Sequence, residues 1–293
     1  MNKELIDRCQ ILKGKPVADR IRANVKDMIQ DLGIKPKVIT VLATDDSGAA
    51  SYAKIKKKKA ASFGIDLEIM KLPHDISQPE LLDQIAILGN SSQIHGLMLE
   101  RPLPEHIDFD AISAIINPVK DVDCQSAESL GKIFLSNAKW HPATAEAVVR
   151  ILEYYDIETE GKDIVIIGRS LSVGKPLAAI LMQKNYNATV TVCHSRTKGL
   201  KEKVQSADIL VSAIGRPKFI DDSFVNQDAV IIDVGINYTE DGLYGDIDFD
   251  KVANKVSAIT PVPGGIGPVT VSVLMENCAI AAKENMPNEQ KLL

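Results

Sequence analysis

The sequence predicts an α/β protein of two domains, an N-terminal α/β catalytic domain and a Rossmann-like dinucleotide-binding domain with a parallel sheet. Three observations carry that expectation. Short apolar segments alternate with helix-length segments in both halves, the pattern of βαβ units. A glycine-bearing turn, Gly168 to Gly174, joins one such strand to the next helix. The 293 residues exceed one typical domain and suit two, so an active-site cleft is expected between the domains.

In the first half the pattern predicts a helix over Pro16 to Leu32, a strand over Lys37 to Ala43 and a helix over Gly48 to Phe63. A strand over Asp66 to Lys71, a helix near Gln78 to Leu88 and a strand over Ile94 to Leu99 follow. The turn-rich stretch Asn117 to Asp123 precedes a helix starting near Pro142, where proline suits a first helical turn. The domain change is expected there. The second half predicts strands at Asp163 to Ile167, Thr189 to Cys193, Ile209 to Ala213 and Val230 to Val234. An apolar terminal helix is expected over Val269 to Ala282.

Composition narrows the function classes. With 45% hydrophobic and 25% charged residues, and no apolar run near twenty, the chain reads as globular and not membrane-spanning. The N-terminal stretch MNKELIDRCQILKGK shows no apolar signal core, so a cytoplasmic location is expected. Cys9, Cys124, Cys193 and Cys278 are scattered, which points to reduced thiols, and the five histidines form no metal-ligand spacing. No metal is expected. A net charge of −5 argues against nucleic acid as a partner, although Lys54, Lys56, Lys57, Lys58 and Lys59 make a local basic run.

The second half carries the cofactor signals. After the strand DIVIIG comes Gly168-Arg169-Ser170-Leu171-Ser172-Val173-Gly174, a turn that aims backbone N–H groups and a positive helix end at a phosphate. At the end of the next strand, Ser195 and Arg196 stand where a reader of NAD would place an acidic residue. A hydroxyl and a guanidinium suit a 2′-phosphate, which favours NADP. His194 has no carboxylate partner in the sequence and is expected to serve structure or the cofactor edge.

The first half carries the chemistry signals. Helical spacing puts Tyr52, Lys56, Lys59 and Phe63 on one face, so Tyr52 and Lys56 are neighbours. The strand ending at Leu99 leads into Glu100-Arg101-Pro102-Leu103-Pro104, and Lys120-Asp121-Val122-Asp123 follows. Either aspartate suits a turn or cap as well as a binding role. Residues Thr260 to Thr270, TPVPGGIGPVT, hold three prolines and three glycines and are expected to form a rigid irregular loop with bare peptide groups.

These strings resemble the methylenetetrahydrofolate dehydrogenase/cyclohydrolase family, whose patterns include PGGVGPxT, GRSxxVGxP, YxxxK, QLPLP and KDVDG. The resemblance covers nearly the whole chain. It implies NADP-dependent oxidation of 5,10-methylenetetrahydrofolate to the methenyl form, with a cyclohydrolase step to 10-formyltetrahydrofolate. By the same resemblance, Lys56, Glu100 and Asp123 would be catalytic, Lys56 in proton transfer and Asp123 as the anchor of the pterin. Tyr52, Leu99, Arg101, Pro263, Gly264, Gly265, Ile266 and Gly267 would line the substrate site. Gly168, Arg169, Ser170, Val173, Gly174, Ser195, Arg196, Ile236 and Thr270 would bind NADP, with Ile236 at the adenine side and Thr270 near the nicotinamide. Residues 1–141, completed by a returning helix over 270–293, would form the folate domain, and 142–269 the NADP domain. The family also implies a homodimer formed through the NADP domain.

Departures from the family patterns cluster in the folate half. Glu100 replaces glutamine, Arg101 an apolar residue, Cys124 a glycine and Ser129 an asparagine; Asp46-Ser47-Gly48-Ala49 replaces DPAS, and His141-Pro142-Ala143-Thr144-Ala145 replaces PCTP. A carboxylate beside Lys56 favours the ammonium form and makes it a poorer base. The cyclohydrolase step, which needs activated water, is therefore expected to suffer first. Arg101 would cancel this effect by pairing with Glu100. The altered positions leave two alternatives open: an NADP oxidoreductase of this architecture with another substrate, and a noncatalytic cofactor- or folate-binding protein.

Overall fold

The structure, a computed structural model, describes residues 9–286. In chain order the first elements are β1 (Gln10–Ile11), α1 (Gly14–Leu32), β2 (Lys37–Leu42), α2 (Ser47–Phe63), β3 (Asp66–Lys71), α3 (Gln78–Asn90) and β4 (Gly96–Leu99). Two shorter helices, α4 (Phe109–Ile115) and α5 (Ala127–Phe134), precede α6 (Ala143–Tyr154). There follow β5 (Asp163–Ile167), α7 (Gly174–Leu181), β6 (Thr189–Cys193), α8 (Leu200–Gln205), β7 (Ile209–Ser212) and β8 (Val230–Asp233). The chain continues through β9 (Asn237–Thr239), β10 (Gly242–Tyr244), α9 (Phe249–Val252), β11 (Ala258–Ile259) and α10 (Ile266–Glu284).

Two compact units result, residues 9–19 with 143–270 and residues 20–142 with 271–286. The first is built on a six-stranded parallel sheet in the order β1-β11-β8-β7-β5-β6, with the β9–β10 hairpin beside it. Its inner strands β5, β7 and β8 are mainly apolar and buried beyond their first residues, as strands covered on both faces must be. The second unit has a three-stranded parallel sheet, β3-β2-β4, whose central strand KVITVL is buried from its second residue onward. Leu81, Ile85 and Leu88 of α3 pack against it with Ile112 and Ile116.

Local chemistry fixes the helix ends that position the candidate residues. The Asp46 side chain accepts the Ala49 N–H at 2.6 Å and starts α2, and Gly64 ends it with a φ of 87°, a left-handed conformation that glycine adopts without strain. Ser77 and Glu80 form a capping box on α3.

Some expectations need correction. Helix α10 begins at Ile266, so the last five residues of the Thr260–Thr270 segment are helical, not irregular. Pro268 falls in its first turn, where a missing N–H is not needed. The two-residue strands β1 and β11 show no periodicity in sequence, yet β1 pairs with β11 and extends the larger sheet, so residues 9–19 group with 143–270. No helix among the described residues is long and apolar enough to cross a membrane.

Candidate functional site

The smaller unit holds a buried charge pair. Helix α2 turns Ala49, Ala53, Lys56, Ala60 and Phe63 inward, and its small alanines let the backbone approach the sheet. Of the basic run, Lys56 alone is buried; Lys54, Lys57, Lys58 and Lys59 are exposed. Lys59, which helical spacing puts on the side of Lys56, points to solvent with the rest of the run. Lys56 Nζ makes an ion pair with Glu100 Oε1 and lies 4.8 Å from the centroid of the half-exposed Tyr52 ring. Its third neighbour is Met98 Sδ, at 3.8 Å.

Glu100 is held from several sides. Thr40 Oγ1 donates to Glu100 Oε1 at 2.7 Å, and the Glu100 N–H donates to Val41 O at 2.8 Å. The preceding Leu99 is clamped by the Gln125 amide, whose Oε1 accepts the Leu99 N–H at 2.8 Å and whose Nε2 donates to Leu99 O at 2.9 Å. Arg101 does not reach Glu100. Its guanidinium lies 4.4 Å from the Phe109 ring centroid, and no Arg101–Glu100 ion pair occurs among the described residues.

The two aspartates part company. Asp121 is fully buried; its carboxylate accepts the N–H groups of Gln125 and Ser126, each at 2.7 Å, and so shapes a turn. Asp123 is half-buried and close to Cys278. Burial pushes the Cys278 thiol well above the ordinary range; the charge of Asp123 adds to the rise, and that of Lys56 opposes it. Asp123, Lys56 and Cys278 therefore share one electrostatic neighbourhood. Asn277 on α10 donates to the carbonyls of Val122 and His141, both at 2.9 Å, and fixes the chain next to Asp123. Cys124 has a φ of 51°, in the left-handed region where glycine is unstrained. The Ser129 N–H donates to the N-cap hydroxyl of Ser126 at 3.0 Å.

In the larger unit the candidate cofactor residues other than Thr270, which lies in α10, follow the carboxyl ends of β5, β6 and β8. Gly168 has a φ of 130°, and a Cβ there would meet Ala213 O at 2.4 Å; a Cβ at Gly174 would meet Gly168 O at 2.1 Å. Glycine alone lets these turns pack so closely. Arg169 and Ser170 are exposed, and Ser170 Oγ accepts the N–H of buried Val173 at 3.1 Å. Ser195 and Arg196 are also exposed. His194 shapes their turn, its Nδ1 accepting the Arg196 N–H at 3.2 Å and its own N–H bonding Thr197 Oγ1 at 2.9 Å. Ile236 is 53% exposed, an apolar side chain left at a strand end where a ligand face is expected.

The proline and glycine segment is tethered to the chain's first helix: the Gly14 N–H donates to Gly264 O at 2.8 Å. Pro263 and Gly264 are exposed, Gly267 is half-buried, and Gly265 and Ile266 are buried. The buried Thr270 hydroxyl donates to Ile266 O at 3.3 Å within its own helix. Sequence reasoning missed Gln125, Asn277, Thr40 and Gly14. Each acts through a partner distant in the chain, which local sequence pattern does not reveal.

Fold and site together define a two-unit α/β protein, with a dinucleotide-type parallel sheet in one unit and a buried lysine–carboxylate pair in the other. Residues 12–123 match the family model for the tetrahydrofolate dehydrogenase/cyclohydrolase catalytic domain, and residues 142–286 match that for its NAD(P)-binding domain. The chain belongs to the tetrahydrofolate dehydrogenase/cyclohydrolase family. It is 45% identical over 271 residues to the bifunctional protein FolD of Clostridium perfringens strain 13, covering 92% of this chain and 97% of that protein. The bifunctional protein FolD of Clostridium beijerinckii is 41% identical over 280 residues, covering 94% and 99%. Among solved structures, the bifunctional FolD enzyme of Campylobacter jejuni superposes with a TM-score of 0.91 at 37% identity, covering 95% of this chain and 100% of that one. The Trypanosoma brucei FolD structure, complexed with NADP and an inhibitor, gives 0.87 at 32% identity, covering 94% and 98%.

Proposed function

We propose that this chain oxidises 5,10-methylenetetrahydrofolate to 5,10-methenyltetrahydrofolate with NADP, and that its cyclohydrolase step is weak. Family membership supports the first part, and the buried Lys56–Glu100 pair is the observation that carries the second. NADP, when bound, accepts the hydride that leaves the one-carbon bridge. The residues present fit that cofactor: Gly168 and Gly174 leave backbone room that any Cβ would fill, and exposed Arg169, Ser195 and Arg196 offer donors to phosphates.

In the smaller unit, Tyr52 offers its ring face to the pterin, Asp123 accepts from the pterin amino and ring N–H groups, and Lys56 directs a charged donor into the site. Leu99 and Arg101 flank that site. Glu100 engages the Lys56 amine in an ion pair, with Thr40 steadying the same carboxylate oxygen. Hydride transfer to NADP needs no proton acceptor on the protein, so oxidation tolerates the Lys56–Glu100 pair. Water activation does not, because the Lys56 amine is already engaged by Glu100 and is not free to take a proton from water. The cytoplasmic location and the homodimer through the larger unit belong to the same proposal; β6 is the edge strand of that unit's sheet.

The test is NADPH formation on mixing purified protein with NADP+ and methylenetetrahydrofolate. Robust formation supports the assignment. Folded protein that binds both ligands and forms no NADPH would contradict it.

A further inference from the structure

We infer that Asp246 is a positioning residue for the cofactor crevice, its carboxylate locking together the loops that leave β7 and β8. The inference rests on the reading of the larger unit as the NADP-binding one. Asp246 lies just past the β9–β10 hairpin, belongs to neither loop, and is completely buried. Its Oδ2 accepts from Ser212 Oγ at 3.1 Å and from the Ile214 N–H at 2.8 Å. Its Oδ1 accepts from the Arg216 N–H at 2.9 Å and from Asn237 Nδ2 at 3.1 Å.

Each carboxylate oxygen faces a backbone N–H, Ile214 at Oδ2 and Arg216 at Oδ1, which can only donate, so both are satisfied together only by a carboxylate, which is purely an acceptor when ionised. Ser212 ends β7, Ile214 and Arg216 lie in the loop beyond it, and Asn237 follows the β8 loop that carries Ile236. Strand carboxyl ends are where open α/β sheets bind ligands. The Asp246 N–H in turn donates to Asp233 Oδ1 at 3.0 Å, and that aspartate ends β8 and accepts the Gly235 N–H at 2.9 Å. The β8 loop is seated tightly, since a Cβ at Gly235 would lie 2.3 Å from the Asp246 carboxyl carbon. One side chain therefore sets the relative position of two crevice walls. An amide in its place turns an NH2 group toward N–H donors, and both loops must shift. The side chain of Asp246 bonds none of the residues proposed above to meet the folate.

The experiment measures NADP+ binding by calorimetry and the separate KM values for NADP+ and methylenetetrahydrofolate in full-length Asp246→Asn and Ser212→Ala proteins, with thermal melting as a folding control. Asp246→Asn is expected to weaken NADP+ binding and raise its KM about tenfold or more, with kcat and the folate KM within about twofold. Ser212→Ala, which removes one donor and leaves the charge, is expected to weaken NADP+ binding about threefold. Folded Asp246→Asn protein with NADP+ affinity within about twofold of the unmodified protein overturns the inference. So does equal movement of both KM values, or, where Asp246→Asn does not fold, an unchanged NADP+ affinity in Ser212→Ala. Failure of the unmodified protein to bind NADP+ contradicts the cofactor reading itself, and the inference with it.

Discussion

Lys56 and Glu100 form an ion pair that water hardly reaches, their side chains keeping 7% and 5% of their exposure. The strand end supplies the carboxylate and the helix supplies the cation. Removing two charges from water is costly, and their mutual attraction offsets that cost only when further hydrogen bonds complete the site. Thr40 provides such a bond on the same carboxylate oxygen.

Lys56→Met is expected to lower stability by about 3–5 kcal/mol, because it leaves a buried carboxylate without a counter-charge. Adding Glu100→Gln to Lys56→Met is expected to restore most of that loss. Denaturation followed by the fluorescence of Trp140, the one tryptophan and buried in the same unit, measures both. A double variant no more stable than the single one would contradict the pairing.

Gln125→Ala leaves the Leu99 N–H and C=O without their clamp, at an expected cost of about 1–3 kcal/mol. The strand end that presents Glu100 then loosens, so NADPH formation should slow even in protein that remains folded. Unchanged turnover would show that the clamp does not position the site.

Stability should depend on pH through Asp233, whose carboxyl is pushed up to about 7, chiefly by burial, with the charge of Asp246 adding to the rise and backbone N–H bonds from Asp246 and Ile247 opposing it. The unfolded value is 3.8, so between the two the folded chain holds a proton that the unfolded chain has released. This contribution to stability is present below the lower value and is lost as pH rises through the upper one, a change of roughly 3–5 kcal/mol. Thermal melts across that window should show falling stability, and Asp233→Asn should flatten the slope. A slope identical in the two proteins would rule Asp233 out as its source.

Arg196→Ala should raise the KM for NADP+ about tenfold or more, the loss of a charge-assisted hydrogen bond, and leave the KM for NAD+ nearly unchanged. Steady-state kinetics with each cofactor measures the ratio. Equal effects on both would remove Arg196 as a reader of the 2′-phosphate.

Much of the fold was legible because short segments rich in apolar and β-branched residues are separated by helix-length segments. The strands Asp66–Lys71, Asp163–Ile167 and Thr189–Cys193 carry the bounds that the pattern alone assigns. The strands β1 and β11 were not legible, since two residues carry no period and their pairing is decided by the sheet they join. In the site, the spacing of Tyr52 and Lys56 is a local helical property and can be read directly. The Arg101 contact is not local: sequence leaves it free to meet Glu100, and only the fold sends it to Phe109. Gln125 and Asp246 were invisible for the same reason, because each works by bonding backbone far along the chain.

The most direct test of the Lys56–Glu100 account is the rate of methenyltetrahydrofolate hydrolysis, measured as decay of supplied substrate, in the unmodified protein and in Glu100→Gln. The expected result is slow hydrolysis in the unmodified protein, at least about tenfold faster hydrolysis in Glu100→Gln, and NADPH formation that changes little between them. Unmodified protein that hydrolyses methenyltetrahydrofolate as fast as the Glu100→Gln variant would contradict it.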